Sequence, residues 1–343
     1  MRIAIVKLSA IGDIIHSMVV LQFIKQKYPN SVVDWFVEDS LKGVLENNPH
    51  INHIHTMIVL QFIKNIYPES IIDWFVDESL KGVLEHNPHI NKIHPIRFKE
   101  AKSKKSIIFL TKEIFKLRKL EKYDLVIDIQ NLIKSAIIAR LIPSKKTIGL
   151  DNNSSRESLA SLFYSHKYSI DHSLNIIKRN TSIINKALNI NITNTDVDKK
   201  KPFLFFEKSS LDECISKELP NILLIPGASF KSKMYPLEKL AQIPNKINGN
   251  FIILWGKPSE KIISEKIKLL TPEVCIVNKL SLNKLKALIS QVDLVIGPDT
   301  GPTHMAWALN VASITLFGST PGYRNTYVTK VNKIIESKSK VDP

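Results

Sequence analysis

The sequence predicts an α/β protein made of two doubly wound domains in series, and three observations predict it. Strand-sized apolar runs alternate with helix-sized amphipathic runs along the chain, a pattern that implies parallel sheets covered by helices on both faces. At 343 residues the chain is long enough for two such domains, each with its own core. A polar, Lys-rich stretch at 196–220, broken by one apolar patch at 203–206, reads as the linker between them. The expected domains are therefore 1–200 and 201–343.

The elements follow in order. MRIAIVK at 1–7 reads as a buried first strand, too short and too soon interrupted by charge for a signal peptide. An internal repeat comes next: residues 18–55 recur as 57–94 at a constant offset of 39, with 28 of 38 aligned positions identical. Each copy reads as a helix (LQFIK) stopped by Tyr-Pro, a buried strand (DWFV), a second helix (SLKGVLE) and a short strand. Two copies do not make a solenoid, so this is a tandem duplication that one α/β domain must accommodate. Residues 97–122 carry ten Lys/Arg against three Glu, with apolar residues from Ile107 to Leu120 running through them, and part of this stretch reads as an amphipathic basic helix. A strand at 123–128, a helix from Lys134 to Arg140, a strand at 146–149 and helices near 158–164 and 174–188 complete the first domain. The second has strands at 222–225, 251–255, 274–277, 294–296 and 313–317, with helices at 236–247, 258–270, 281–290 and 302–309. Two doubly wound domains in series would form a cleft between the carboxyl ends of their strands, where ligands of such folds bind.

Composition narrows the function classes. Hydrophobic residues at 44% with 23% charged residues exclude disorder as the leading reading. No apolar run approaches the roughly 20 residues of a membrane span. Cys214 and Cys275 lack CxxC spacing, which suggests neither a disulfide framework nor a zinc site and fits a reducing cytoplasm. The net charge of +16 admits two readings, the codon bias of a Lys-, Ile- and Asn-rich chain or attraction to a polyanion. Of the aromatic residues in the basic run, Phe109 and Phe115 belong to its apolar series rather than alternating with cations as base stacking requires, so nucleic acid is the weaker reading of the charge.

Four strand-to-helix junctions carry the candidate chemistry. At Asp299-Thr300-Gly301-Pro302-Thr303-His304, Gly301 permits a tight turn and Pro302 suits a first helical turn. Free amides there would bind a diphosphate, Asp299 would accept from sugar hydroxyls, and His304 would donate to sugar or phosphate; the alternative is an Asp cap with a core-facing histidine. Asp13, after Gly12, is either a helix cap or the general base for an acceptor hydroxyl. The preceding Lys7-Leu8-Ser9-Ala10-Ile11 is not a GxGxxG fingerprint, which disfavours a dinucleotide oxidoreductase. Lys233 is a candidate partner for a leaving diphosphate, or one solvent-facing lysine among many. Glu260 is placed to take the two hydroxyls of a ribose. None of these four junctions carries a DxD pair or a His/Asp cluster with ligand spacing, so no metal and no cofactor is expected.

Taken together, IVKLSAIGDIIHS (5–17), IDIQNLIKSA (127–136), RESLASLFY (156–164), K-x-Y-P (233–236), WGKPSE (255–260) and PDTGPTH (298–304) resemble the ADP-heptose:lipopolysaccharide heptosyltransferase family. The resemblance covers nearly the whole chain apart from the extra repeat. It implies a GT-B architecture of two Rossmann-like domains, with inverting, metal-independent transfer of L-glycero-D-manno-heptose from ADP-L-glycero-D-manno-heptose to Kdo-lipid A. It implies Asp13 as catalytic base, Asp299 on the heptose, and Ala228, Ser229, Lys233, Glu260, Leu280, Thr300, Gly301 and His304 on the nucleotide. Lys7, Arg97, Lys99, Lys102, Lys104, Lys105 and Arg140 fall where the family gathers positive charge for the acceptor. It further implies a protein of the cytoplasm held peripherally at the anionic inner face of the inner membrane. Three departures stand out: the family pattern has Gly at Asn131 and Trp at Tyr235, and a final helix follows where this chain ends at Pro343, so either the chain is shortened or domain coupling is weaker. The rival readings are another transferase of the same fold, heptosyltransferase II among them, and a non-catalytic nucleotide-sugar-binding protein inactivated by the duplication.

Overall fold

The computed structural model describes residues 2–7, 11–37, 44, 73–77, 92–96, 117–204, 206, 213–228, 230–318 and 320–337. In chain order the first elements are β1 (Arg2–Val6), α1 (Ile11–Met18), α2 (Val20–Lys27), β2 (Val32–Phe36), β3 (Asp73–Asp77) and β4 (Lys92–Ile96). Next come β5 (Tyr123–Asp128), α3 (Ile133–Leu141), β6 (Ser144–Leu150), a 3-10 helix (Ser158–Phe163), β7 (His166–Tyr168), α4 (Ile176–Leu188) and α5 (Asn194–Asp198). Then follow β8 (Asn221–Leu224), a 3-10 turn (Lys231–Lys233), α6 (Leu237–Leu240), β9 (Asn250–Ile253), α7 (Pro258–Leu270), β10 (Cys275–Ile276) and α8 (Leu282–Ile289). The last are β11 (Leu294–Pro298), α9 (Gly301–Ala308), β12 (Ala312–Phe317), α10 (Gly322–Asn325) and β13 (Asn332–Glu336). Among the described residues, no helix is long and apolar enough to cross a membrane.

The chain divides into two compact units, Met1–Ala10 with Val20–His172 and Arg179–Ile192, and Ile11–Val19 with Ser173–Lys178 and Thr193–Pro343. In the first, a parallel sheet has the order β2-β1-β5-β6-β7. Ile3, Ala4, Ile5 and Val6 are all fully buried, as a central parallel strand covered on both faces requires. The first repeat copy supplies the flanking strand: β2 pairs with β1 from Arg2↔Val32 to Val6↔Phe36. The second copy's strand β3 pairs instead with β4, Asp73↔Lys92 to Asp77↔Ile96, in a separate two-stranded sheet. The duplication thus leaves the first copy's strand beside β1, while the predicted basic helix at 97–122 lies outside the described residues as far as 116.

The second unit is a six-stranded parallel sheet of order β10-β9-β8-β11-β12-β13. Counted from β8, that is the doubly wound order 3-2-1-4-5-6, with its topological switch between β8 and β11. Ile222, Leu224, Phe251, Ile253, Ile267 and Val274 form its core.

Three expectations are corrected here. The stretch at 196–220 is not wholly a linker, because Lys200, Phe203 and Leu204 are buried, with Phe203 ring against Trp307 of α9. The helix expected at 236–247 is the single turn α6, since Pro244 supplies no amide and cannot sit in a helix interior. Cys214 and Cys275, read as unpaired, form a disulfide with Cα atoms 5.8 Å apart. Sequence spacing concealed this: β10 lies beside β9, and Asn250 of β9 donates to the Cys214 carbonyl at 2.6 Å, which brings two positions 61 residues apart together.

Candidate functional site

The switch point of the second unit gathers the candidate donor-site residues. Strand β11 delivers Asp299 and Thr300 to the start of α9, where Thr300 is the extended N-cap and Pro302 occupies the first turn. Thr303 ties this entry together, its hydroxyl donating to the carbonyl oxygens of Pro298 (2.9 Å) and Thr300 (2.7 Å). Asp299 is not the cap. Its Oδ1 lies 3.0 Å from His304 Nε2, and its Oδ2 accepts from Lys233 Nζ at 2.6 Å and from the Thr320 hydroxyl at 3.3 Å. Burial alone would raise the Asp299 pKa, but the hydrogen bonds and charges of His304 and Lys233 outweigh it and hold the carboxyl well below the usual range. The group is a carboxylate at any physiological pH.

His304 is buried one turn into α9, and its Nδ1 has no hydrogen-bond partner among the described residues. Helix α1 closes on this imidazole from two positions. A Cβ added to Gly12 would lie 2.6 Å from His304 Cδ2, and the His16 ring stands edge-on to His304 with centroids 4.4 Å apart. Trp307, one turn deeper, extends the stack at 5.7 Å from His16. Asp13 sits between Gly12 and His16 in the first turn of α1, half-buried, and its carbonyl accepts from the Ser17 hydroxyl at 2.7 Å.

The other junction residues flank this cluster in sequence order. Ala228 follows β8 and is half-buried, while Ser229 lies outside the described residues. Glu260 turns Oε2 onto the amides of Gly256 (2.8 Å) and Lys257 (3.1 Å), so one oxygen caps its own helix α7. Leu280 is half-buried just ahead of α8. Among the described residues, no group of three or more His, Cys, Asp or Glu side chains is arranged to hold a metal.

The first unit has its own polar centre at the carboxyl ends of β1 and β5. Lys7 follows β1 and is buried, and Asp128 is fully buried at the end of β5. Asp128 accepts from the amides of Gln130 (2.8 Å) and Asn131 (3.0 Å) and from the hydroxyls of Ser135 (2.7 Å) and Tyr164 (2.8 Å). Burial pushes the Asp128 carboxyl up despite those four donors. Tyr164 reaches it because Gly149 leaves room: a Cβ there would fall 2.2 Å from the tyrosine ring. Two of the sequence motifs, 127–136 and 156–164, therefore meet on one carboxylate. Asn131 has a left-handed φ of 56° and spans the gap to β6, accepting from the Leu150 amide at 2.9 Å and donating to the Ile129 carbonyl at 3.1 Å. Arg140 is exposed in the last turn of α3. Arg97, Lys99, Lys102, Lys104 and Lys105 lie outside the described residues.

Sequence reasoning gave no role to Gly12, His16, Thr320 or Asp128. The first two lie inside the quoted motif 5–17, where their contact with His304, almost three hundred residues away, has no local signature.

Comparison with known proteins gives concordant results. The pattern described as "Glycosyltransferase family 9 (heptosyltransferase)" matches residues 114–341. Lipopolysaccharide heptosyltransferase 1 of Campylobacter coli is 35% identical, the match covering 99% of this chain and 91% of that protein. Among solved structures, E. coli heptosyltransferase WaaC with ADP superposes with a TM-score of 0.71 at 21% identity, over 98% of this chain and 93% of that one. E. coli ADP-heptose LPS heptosyltransferase II gives a TM-score of 0.60 at 17% identity, over 98% and 90%. At these identities the solved structures show the fold, two parallel-sheet α/β units of the GT-B class.

Proposed function

This chain belongs to glycosyltransferase family 9, the heptosyltransferases, and from that premise we propose that it moves L-glycero-D-manno-heptose from ADP-heptose to the Kdo of Kdo-lipid A, with inversion and without a metal. The carrying observation is the cluster of Lys233, Asp299 and His304 at the β8/β11 switch point, with the helix of Asp13 packed against it. An inverting transfer through an oxocarbenium-like state needs a base for the acceptor hydroxyl and stabilisation of the departing phosphate. In this reading the amides at the start of α9 hold the diphosphate and the Lys233 ammonium offsets the charge that builds on it. Asp299, kept anionic, accepts from heptose hydroxyls, and Asp13 deprotonates the acceptor. Ala228, Ser229, Glu260, Leu280, Thr300, Gly301 and His304 complete the nucleotide site in 201–343.

The acceptor falls to 1–200, where Lys7, Arg97, Lys99, Lys102, Lys104, Lys105 and Arg140 meet its carboxylates and phosphates. Because that acceptor is a lipid, the enzyme works at the cytoplasmic face of the inner membrane, held peripherally. The test is turnover of ADP-heptose with Kdo-lipid A in chelator, with ADP-mannose and a heptosylated acceptor as controls. The Asp13→Ala variant is expected to lose about two or more orders of magnitude in transfer while still binding ADP. Near-normal transfer by that variant removes Asp13 from its role. ADP binding without transfer to any Kdo acceptor would instead establish the non-catalytic reading.

A further inference from the structure

The 3-10 helix Ser158–Phe163 turns its two sides to different surroundings. Ala160 is buried against Ala136 of α3 together with Tyr164, and Ile133 and Phe163 pack around them. Leu159 and Leu162 are 60% and 71% exposed. With three residues per turn, they stand one above the other on one side of the helix. Ile137, on the neighbouring α3, is the remaining large apolar side chain exposed by the first unit among the described residues. A single exposed leucine is ordinary; an aligned pair beside an exposed isoleucine marks an interaction surface.

Charge identifies the occupant. Helix α3 exposes Lys134 and Arg140, three positions to either side of Ile137, and Arg156 and Lys167 are exposed at the two flanks of the 3-10 helix. The exposed cations around the ridge are thus Lys134, Arg140, Arg156 and Lys167, against Asp151 and Glu157, while Lys145 is paired with Asp124 at 2.7 Å. Both acids are engaged: Glu157 accepts from the Ile133 amide at 2.7 Å, and Asp151 from the Ser154 amide at 2.9 Å. An apolar ridge in a basic field matches an anionic bilayer, where apolar side chains enter the interface and cations meet the head groups. The position fits as well. Glu157 ties one end of the helix to the start of α3, Tyr164 ties the other to Asp128, and Asp128 pairs in register with Val6, the neighbour of Lys7. The leucines therefore lie beside the strand ends assigned to the acceptor.

We propose that Leu159 and Leu162, with Ile137 beside them, form the membrane-docking ridge of this enzyme and seat it on anionic lipid. The inference rests on the reading of a lipid-linked acceptor. Its test compares the wild-type chain with the double variant Leu159→Ser/Leu162→Ser, in sedimentation with vesicles of phosphatidylglycerol and phosphatidylethanolamine or of phosphatidylcholine alone. Wild type should bind the anionic vesicles, less so as salt is raised, and the double variant should bind about tenfold or more weakly. Transfer to a delipidated, water-soluble Kdo saccharide should be equal in the two proteins, while the apparent KM for acceptor embedded in vesicles rises about tenfold in the variant. Equal vesicle binding by both proteins overturns the proposal, and so does a wild-type dimer that the variant loses, which would assign the ridge to a second copy. Absence of transfer even to the soluble saccharide would overturn the reaction instead, and sedimentation would still judge the ridge.

Discussion

Gly12 and His304 are in direct van der Waals contact, close enough that a methyl group on Gly12 would fall 2.6 Å from the imidazole Cδ2. His304 holds Asp299 through its Nε2, so the residue beside the candidate base sets the position of the donor-site carboxylate. Gly12→Ala should push the imidazole off Asp299 and lower kcat by about 100-fold, the scale of a misplacement near 1 Å. Overpacking of this kind costs about 1–3 kcal/mol, so the variant should remain folded by circular dichroism while transfer falls. Full activity in Gly12→Ala would show that His304 need not sit where it does.

Lys233 and Asp299 make a second, separable prediction. The ammonium is 2.6 Å from the carboxylate, with both side chains mostly sheltered. In the proposed reaction Lys233 moves part of its interaction to the departing phosphate, so its contribution grows in the transition state. Lys233→Met should therefore lower kcat by about 100-fold or more with a smaller change in donor KM. A rise in donor KM with kcat intact would make Lys233 a ground-state binder only.

How much of this was legible beforehand follows from where the information lies. The strands of the second unit were readable because a buried parallel strand such as ILLI at 222–225 is a continuous apolar run, here bounded by Asn221 after Pro220 and by Pro226-Gly227. The edge strand β13 was not, since Lys333 and Glu336 interrupt its apolar pattern and Glu336 instead accepts from the Gly322 amide. Asp13, Lys233, Glu260 and Asp299 could be picked out because each follows a strand at a helix start. Their pairing could not: the Lys233–Asp299 contact spans 66 residues and depends on β8 and β11 being neighbours, which sequence order alone does not fix. The partner of α1 was hidden for the same reason.

Asn131 tests the departure from the family's glycine. Its φ of 56° is the left-handed region, reached by Gly freely and by Asn at modest cost. Asn131→Ala should destabilise the first unit by about 1–2 kcal/mol for the backbone alone, and more with the hydrogen bonds to Ile129 and Leu150 gone. Asn131→Gly relieves the backbone but loses the same bonds, so it should be the milder variant by about 1 kcal/mol in urea unfolding. Equal losses would mean that the bonds, not the left-handed backbone, decide the residue.

Lys200 gives a pH dependence whose sign can be worked out. Its Nζ is buried, donates to the Trp307 carbonyl at 2.6 Å and to Asn310 Oδ1, and so fastens the carboxyl end of the helix whose start forms the donor site. Burial lowers its pKa from 10.5 to about 7. Between those values the unfolded chain keeps the proton and the folded one has released it, so the unfolded state binds more protons and stability rises with pH. One proton bounds the slope at about 1.4 kcal/mol per pH unit. Lys25, half-buried and lowered to about 8 by desolvation, adds a slope of the same sign that starts one unit later. Urea unfolding at pH 7, 8, 9 and 10 should therefore show wild type gaining stability across the series. Lys200→Met should flatten the rise between 7 and 8 and keep part of it above. Parallel curves for the two proteins would show that Lys200 keeps its proton in the folded state, its charge held by the helix end.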